Sequence, residues 1–303
     1  MANITVNEVA DAIPTIVAAE ALGYLKANTV LARLVSRDWD NEVAQYGQTI
    51  SIVKPGSLVA NDKAANTEVT LQAPSATKAQ ITLDKHKEAS FLIEDVARFL
   101  SRPDMRERYI EAAMGAVSEQ VDADIAALYA AAGNTIDASG GLTEAHLRQT
   151  RKLLNSAKLP LRDRYFVVHE DAEYELLGID RFVNRDYAEL RGAPPRLEEA
   201  YLGRYAGFDY FMDQMIVEVS GSPNLRENIA FQRYAIALAS RPLPAAPQNY
   251  GVQQVVMGED GLGVRVTMSY SHKNLGYLTT IDLLYGVGAV RPEGIVAVAT
   301  AEQ

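Results

Sequence analysis

The stretch SRPDMRERYIEAAMGAVSEQVDADIAALYAAA, residues 101–132, constrains the fold more than any other part of the chain. Ser101 is placed to cap a helix, Pro103 suits its first turn, and Asp104 sits where the positive end of the helix dipole favours an anion. Tyr109, Ala112 or Ala113, Ala116, Val117, Val121, Ile125 and Leu128 recur at helical spacing as an apolar stripe. Gly133 and Asn134 then stop it. About thirty residues at ~1.5 Å each make a rod on the order of 45 Å long, against about 11–12 residues for an ordinary helix. The stripe lacks the heptad leucines of a coiled-coil arm, so it predicts a spine along which other elements pack.

Upstream, the texture is extended. QTISIV and TEVTLQA alternate polar and apolar residues, AQITLDKHKEASFLI continues the pattern, and KPGSLVANDKAANT between the first two is rich in turn formers. This predicts a long hairpin projecting into solvent. An isolated two-stranded ribbon is marginally stable, so it must rest on a partner surface, the first physical sign of assembly. Before it, IPTIVAAEALGYLKANTVLARLV carries Pro14 in a first-turn position, then Ile16, Ala19, Leu22 (or Gly23), Leu25, Val30 and Leu34 at loosely helical spacing. With many small residues and no long apolar face, this segment reads as one that lies across something else.

From Thr143 onward short helices and strands mix. TEAHLRQTRKLLNSAK reads as a capped helix ending before Pro160 and RYFVV as a strand. Ala172 to Leu177 form a short helix closed by Gly178. GFDYFMD and AIALASRPLP have strand character, and YGVQQVVMGEDGLGVRVTMSYS folds back on the turn GEDGLG. There is no internal repeat and no low-complexity linker, so interleaved lobes are expected rather than separate beads. The fold class is α+β.

Bulk properties narrow the function. At 303 residues with 48% hydrophobic and 22% charged side chains, the chain suits one large domain or two ordinary ones. No apolar run approaches the ~18 residues of a membrane span, and the N-terminus lacks the basic and apolar regions of a signal peptide, which predicts synthesis in a cytoplasm and no membrane partner. Cysteine is absent, which removes disulfides, thiolate nucleophiles and sulfur-ligated metals. With 39 acidic and 29 basic residues the net charge is -10, which opposes a dedicated DNA-reading module but not a protein that merely encloses a genome.

Sharp chemical readings fare poorly. His169 and Glu170 adjoin, with Glu173 one turn on, but the zinc-hydrolase pattern requires a second His where Glu173 stands. His86, His146 and His272 lie in other elements, His86 in a charged strand where it faces solvent. Glu170 and Asp171 suit a helix N-terminus instead. No phosphate loop or nucleophile elbow occurs, and Ser139 sits in an inter-helix loop without a base nearby in sequence. Asp122 and Asp124, two apart on the long helix, point to different faces and suit solvation or ion pairing between subunits. Arg102, Arg106 and Arg108 are interrupted by Asp104 and Glu107, the pattern of a salt-bridged helix face. No cofactor is expected, and a metal-dependent hydrolase built on His169 and Glu170 is the alternative from another class.

The order of these zones resembles the major capsid proteins of tailed bacteriophages, whose shared fold is named after the Hong Kong ninety-seven phage. The stretches that carry the likeness are IPTIVAAEALGYLKANTVLARLVSRDW, GQTISIVKPGSL, LDKHKEASFLIEDVARFLSRPDMRERYIEAAMGAVSEQVDADI, LGRYAGFDYFMD, IAFQRYAIALASRPLP and IDLLYGVGAVRPEGIVAV. The resemblance covers essentially the whole chain and includes no catalytic motif, so it implies a structural protein, not an enzyme. It implies an N-terminal arm at 1–46, an extended E-loop hairpin at 47–86, and a peripheral (P) domain opening with the spine helix at 87–135. An axial (A) domain follows at 136–244, then P-domain strands at 245–286 and a C-terminal strand returning to the A domain at 287–303.

The resemblance further implies self-assembly as hexamers and pentamers into an icosahedral shell around double-stranded DNA, with arm and hairpin overlapping neighbouring subunits. Lys54, Lys63, Arg102, Arg106, Arg108, Glu170, Tyr187 and Arg191 are the expected interface residues. Expected partners are copies of the chain itself, a separate scaffolding protein, a portal and decoration proteins; the expected location is the virion capsid, preceded by the host cytoplasm. An encapsulin-like compartment shell is the neighbouring alternative. Two departures from the family bear on mechanism. The arm-like sequence starts within the first dozen residues, which implies a separate scaffold or none and no cleavage of this chain. The short turn GEDGLG implies that the inserted domain of larger relatives is absent. Some relatives cross-link through Lys and Asn; Lys63 lies beside Asn61 and Asn66, and these read as solvated turn residues.

Overall fold

The computed structural model describes residues 17–25, 29–38, 49–54, 60–63, 65–69, 71–72, 77–94, 105–179, 200–245, 253–259 and 262–302. In chain order, residues 17–25 (α1) and Leu31–Leu34 (α2) are helical. Thr49–Lys54 (β1) pairs antiparallel with Thr77–Thr82 (β2), and Lys85–Glu94 (β3) follows. The spine is Met105–Ala126 (α3), tightening into a 3₁₀ turn at Ala127–Ala131. Then come Asn134–Ala138 (β4), Glu144–Ser156 (α4), Arg164–Val168 (β5), Glu170–Leu177 (α5), Tyr201–Tyr205 (β6) and Phe208–Met212 (β7). Glu218–Val219 (β8), Leu225–Gln232 (β9), Ile236–Ser240 (β10), Gln253–Glu259 (β11), Leu262–Ser271 (β12), Gly276–Ala289 (β13) and Ile295–Ala301 (β14) complete the chain.

The spine helix buries Ile110, Met114, Val117, Val121 and Ile125, spaced three or four apart along one face. That face packs against Val17, Ala21, Leu25, Leu31 and Leu34 of the first two helices and Val264, Val266, Ile281, Leu283 and Tyr285 of β12 and β13. The stripe read from the sequence starts one residue early: Tyr109 is 44% exposed, and Ala112 and Ala116 face solvent. Ser118 and Asp122 take places on the buried face that hydrophobicity alone would give to apolar residues. Both are hydrogen-bonded, Ser118 Oγ donating to the Gly115 carbonyl at 2.7 Å and Asp122 accepting from the arm, which removes the cost of burying them.

Two sheets flank the spine. The five-stranded one runs β10-β13-β12-β11, with β3 also paired to β13. Residues 279, 281, 283 and 285 of β13 are buried, the last three of them in the core shared with α3, while Asp282 lies on the opposite face. The seven-stranded sheet runs β4-β14-β9-β5-β7-β6, with β8 on β9. Its β4–β14 and β5–β7 pairs are parallel and the others antiparallel. One of its faces is covered by α4 and α5 through Leu147, Leu154, Ala172 and Leu176, and the other joins the spine core through Val167, Phe211, Ile229 and Phe231.

The chain passes between the sheets at 132–133, 233–235 and 290–294, and these crossings touch backbone to backbone. Gly133 N–H donates to the Pro292 carbonyl at 2.7 Å, and Val290 and Arg291 N–H both donate to that of Ala235 at 2.8 and 3.0 Å. A Cβ on Gly133 would lie 2.6 Å from the Pro292 oxygen, which is why a glycine stands there. The chain thus changes sheet at residues other than the domain boundaries expected at 244 and at 286–287. β10 lies inside the 136–244 span yet pairs with residues 285–289 of β13 in the five-stranded sheet. The sheet changes occur at the two 3₁₀ turns, Arg233–Ala235 and Pro292–Gly294.

The arm, expected to lie across something else, packs into the core of its own subunit through residues 17–25 and 31–35. Ser36 bridges Ala237 in parallel, accepting from Leu238 N–H at 2.9 Å. The hairpin base is likewise anchored: Ile50, Ile52 and Ile81 share a small core with Leu83, Ala237, Ala239, Leu284 and Val290.

Candidate assembly surfaces

Beyond its anchored base, the segment between β1 and β2 carries exposed apolar side chains and no strand at the expected TEVTLQA among its described residues: Val69 is 68% and Leu71 91% accessible. Lys63 folds over its own turn, donating to the carbonyl and hydroxyl of Thr67, and Asn66 adopts the left-handed conformation with φ 60° that asparagine tolerates in turns. These three observations describe a structured tip with an apolar edge and a locally satisfied cation.

Among the described residues, the expected interface residues are spread over separate elements. Lys54 ends β1, Lys63 is exposed in the hairpin, Arg108 is exposed on α3, and Glu170 is exposed in the first turn of α5. Arg106 lies in the first turn of α3, and Arg102, Tyr187 and Arg191 fall outside the described residues. The sequence reading missed exposed apolar residues outside the hairpin, among them Tyr174 at 72%, Leu275 at 64%, Leu161 at 62% and Leu177 at 56%. Helical spacing against the buried Ala172 and Leu176 would have placed Tyr174 and Leu177 on the outer face of α5.

The titratable groups serve the interior. Asp122 Oδ2 accepts from Val30 N–H at 2.7 Å and Oδ1 from Ala32 N–H at 2.9 Å. Burial, then the like charge of Asp213, raises the Asp122 carboxyl well above its ordinary range, and the backbone donors oppose this. Asp213, just past β7, accepts from Met215 N–H at 2.8 Å, and its second oxygen is buried without a partner among the described residues. Burial pushes its carboxyl up to about 6, offset by Met215 N–H and by His169. Asp124 is held within the subunit by Lys85 at 3.2 Å and the Tyr285 hydroxyl at 2.5 Å, which corrects the reading of solvation or intersubunit pairing. His86 is exposed in β3, as its charged strand predicts. It turns to Asp282 Oδ2 at 2.9 Å, where Arg265 forks onto the same carboxylate.

His169 is 5% exposed at the N-cap of α5, and its ring Nδ1 lies 3.1 Å from Asp171. Glu173 meets it through backbone only, its N–H donating to the His169 carbonyl at 2.9 Å, and Glu170 points to solvent. The His-Glu run is a helix start, and among the described residues no group of three or more His, Asp or Glu could hold a metal ion. The buried Asn228 fixes that start: its Oδ1 accepts His169 N–H at 2.7 Å while its amide donates to Val298 O at 3.1 Å and Thr300 Oγ1 at 2.8 Å.

A spine helix, two sheets sharing its core and a projecting hairpin are the parts of a shell subunit, and a family model described as phage capsid protein matches residues 40–243. The chain belongs to the phage capsid protein family. The capsid protein has the same fold as solved phage capsid chains. It is similar to one from Mycobacterium phage Che8, at 20% identity, with 89% of this chain and 90% of that one covered and a TM-score of 0.63. A second, titled as the capsid structure of cyanophage P-SCSP1u, is 18% identical over 86% of this chain and 85% of that one, at TM-score 0.60. The capsid of Ralstonia phage GP4 is 10% identical over 86% and 85%, also at 0.60. No curated protein matches the capsid protein significantly. Among the described residues of the capsid protein, no helix is long and apolar enough to cross a membrane.

Proposed function

We propose that this capsid protein is the major shell subunit of a tailed phage, assembling as hexamers and pentamers into an icosahedral virion capsid around double-stranded DNA. Its role is structural rather than enzymatic. In this reading β1, β2 and the turn between them are the E-loop, α3 with the five-stranded sheet is the P domain, and the seven-stranded sheet with α4 and α5 is the A domain. Lys54, Lys63, Arg108 and Glu170 serve contacts between copies. A separate scaffolding protein and a portal act in assembly in the host cytoplasm, and decoration proteins dock on the finished shell.

The observation that carries this is the contrast within the hairpin. Its base is buried in the subunit's own core, while Val69 and Leu71 remain largely exposed on the projecting part. Full burial of two such side chains against another copy is worth ~1.5–3 kcal/mol each, repeated at every contact of the shell. The test is electron microscopy of purified protein beside the double variant Val69→Asp, Leu71→Asp. Closed particles are expected from the unmodified chain, and folded subunits without closed particles from the variant. A chain that stays monomeric at high concentration, or a variant that closes normally, overturns the reading.

A further inference from the structure

Between Glu144 and Asp163 the chain carries five cations and no acid, although acids outnumber bases 39 to 29 in the whole sequence. Arg148, Arg151 and Lys152 follow one another at spacings of three and four along α4, Lys158 comes just past its end, and Arg162 lies in the corner before β5. All five are exposed. The helix cannot turn them inward, because Leu147, Thr150 and Leu154 commit its other face to the seven-stranded sheet. The acids Glu170 and Glu173 of α5, on the same side of the sheet, confine the positive surface to α4 and the corner.

At ~1.5 Å per residue the stripe from Arg148 to Lys158 extends on the order of 15 Å. The corner lengthens it. A Cβ on Gly294 would lie 3.2 Å from Leu159 Cδ1, so the turn Pro292–Gly294, opened by the exposed Arg291, abuts the corner between Lys158 and Arg162. The buried Arg164 fixes that corner, its guanidinium donating to the carbonyls of Pro160 and Leu159 and to Asn155 Oδ1 at 2.8–2.9 Å. The charges themselves are uncommitted. Arg151, Lys152, Lys158, Arg162 and Arg291 have no ion pair among the described residues, and Arg148 has one long contact, 3.8 Å to Glu144.

The neighbours of these cations narrow the partner's chemistry. Gln149, Asn155 and Ser156, exposed on α4, are polar, so a folded protein would find no large apolar anchor along the helix, and Leu161 stands at one end only. Long, flexible cations spaced along a rod suit a polyanion of regular charge, and duplex DNA presents one phosphate charge per ~1.7 Å of axis. We propose that the outer face of α4 and the corner after it form a sequence-independent contact with the phosphate backbone of double-stranded DNA. The contact rests on the shell reading for the presence of DNA and adds which surface meets it: the α4 side of the seven-stranded sheet looks into the shell. Phosphate contacts position a protein without reading sequence, as a chain enclosing a whole genome requires.

Salt-dependent binding tests it. Full-length protein, kept unassembled as light scattering verifies, is titrated against a short labelled duplex by fluorescence anisotropy. Affinity is expected to fall with salt at a log–log slope of about −3 to −5, the same for duplexes of different sequence. Arg151→Glu with Lys152→Glu, and separately Lys158→Glu with Arg162→Glu, each flatten the slope by about two and weaken binding about tenfold or more at low salt. Lys273→Glu, at an exposed position of the β12–β13 turn outside the stripe, leaves slope and affinity unchanged, and melting transitions confirm folded subunits. No binding at about 50 mM salt, stripe variants that bind like the unmodified chain, a Lys273 variant that weakens binding as much, or polyglutamate that displaces DNA at equal charge concentration overturns the contact. Electron microscopy of the same preparations separates the two readings. A chain that binds DNA through these residues and forms no closed particles overturns the shell reading alone, and closed particles from subunits that fail the titration overturn the contact alone.

Discussion

The carboxylate of Asp122, on the spine helix, accepts the backbone N–H of Val30 at 2.7 Å across 92 positions of sequence. Its other oxygen takes Ala32 N–H, so one buried side chain closes the start of α2 onto α3 and holds the arm in its own subunit. Asp122→Ala leaves two buried donors unpaired at ~1–3 kcal/mol each, so a loss of about 2–4 kcal/mol is expected in chemical denaturation. Asp122→Asn keeps one acceptor and should cost about half as much. Faster amide exchange at Val30 and Ala32 locates the effect; a loss under about 0.5 kcal/mol for the alanine variant means the arm is held by packing alone.

Asp213 makes stability depend on pH in a defined direction. Its folded-state pKa is raised to about 6, above the ordinary carboxyl value, so the fold favours its protonated form. The stability it contributes is fully present below about pH 4 and is lost as pH rises through about 6. Asp122 is raised too and acts with the same sign. Asp137 and Glu302 have lowered values and act oppositely, so the informative quantity is wild type minus Asp213→Asn. Between about pH 4 and 7 that difference should shift by ~2 kcal/mol against the wild type, since one pKa unit is worth ~1.4 kcal/mol. A flat difference means that Asp213 reaches water.

Two glycines of β13 lie under the hairpin base, and they should differ in tolerance. A Cβ on Gly286 would stand 2.2 Å from the Thr82 carbonyl oxygen, and the backbone there cannot yield without lifting the hairpin. A Cβ on Gly288 would meet the side-chain Cγ1 of Ile81 at 3.0 Å, which a small rotation relieves. Gly286→Ala is expected to cost about 2–3 kcal/mol and Gly288→Ala about 1 kcal/mol or less. Thermal melts rank the pair, and equal costs mean that the hairpin is free to shift.

Local pattern made much of this legible in the sequence. The spine from Met105, the first hairpin strand, the Thr143-capped helix and the strand-to-helix run around His169 follow from spacing and capping residues and stand where those signals put them, whereas the partner of the first hairpin strand is Thr77–Thr82 and not TEVTLQA. What failed was everything that depends on a partner distant in sequence. Asp122 and Asp124 read as surface charges because their partners lie far off in sequence, Val30 and Ala32 at 92 and 90 residues and Lys85 and Tyr285 at 39 and 161. The sheet that β10 joins could not be read from its run IALAS, because only its pairing with residues 285–289 decides it. The interface residues chosen for charge missed Tyr174 and Leu177, because an exposed apolar residue is recognised only once the opposite helix face is known to be full.

Asn228 supplies the sharpest substitution. Fully buried, it accepts His169 N–H and donates to the carbonyls of Val298 and Arg226 and to Thr300 Oγ1, joining α5 to β9 and β14. Asn228→Ala leaves these groups unpaired and is expected to cost about 2–4 kcal/mol, with faster exchange at the His169 amide. Asn228→Asp keeps the shape and the acceptor but turns an oxygen toward the Val298 and Arg226 carbonyls, where the amide had donated. At neutral pH that places an unpaired charge in the interior, so the aspartate variant should be less stable than the alanine variant despite being nearly isosteric. Protonation restores a donor, so the order should reverse below about pH 5, as the buried acid takes up its proton. Melting both variants at two pH values decides it: an aspartate variant as stable as wild type at neutral pH would mean that the amide donors carry no weight.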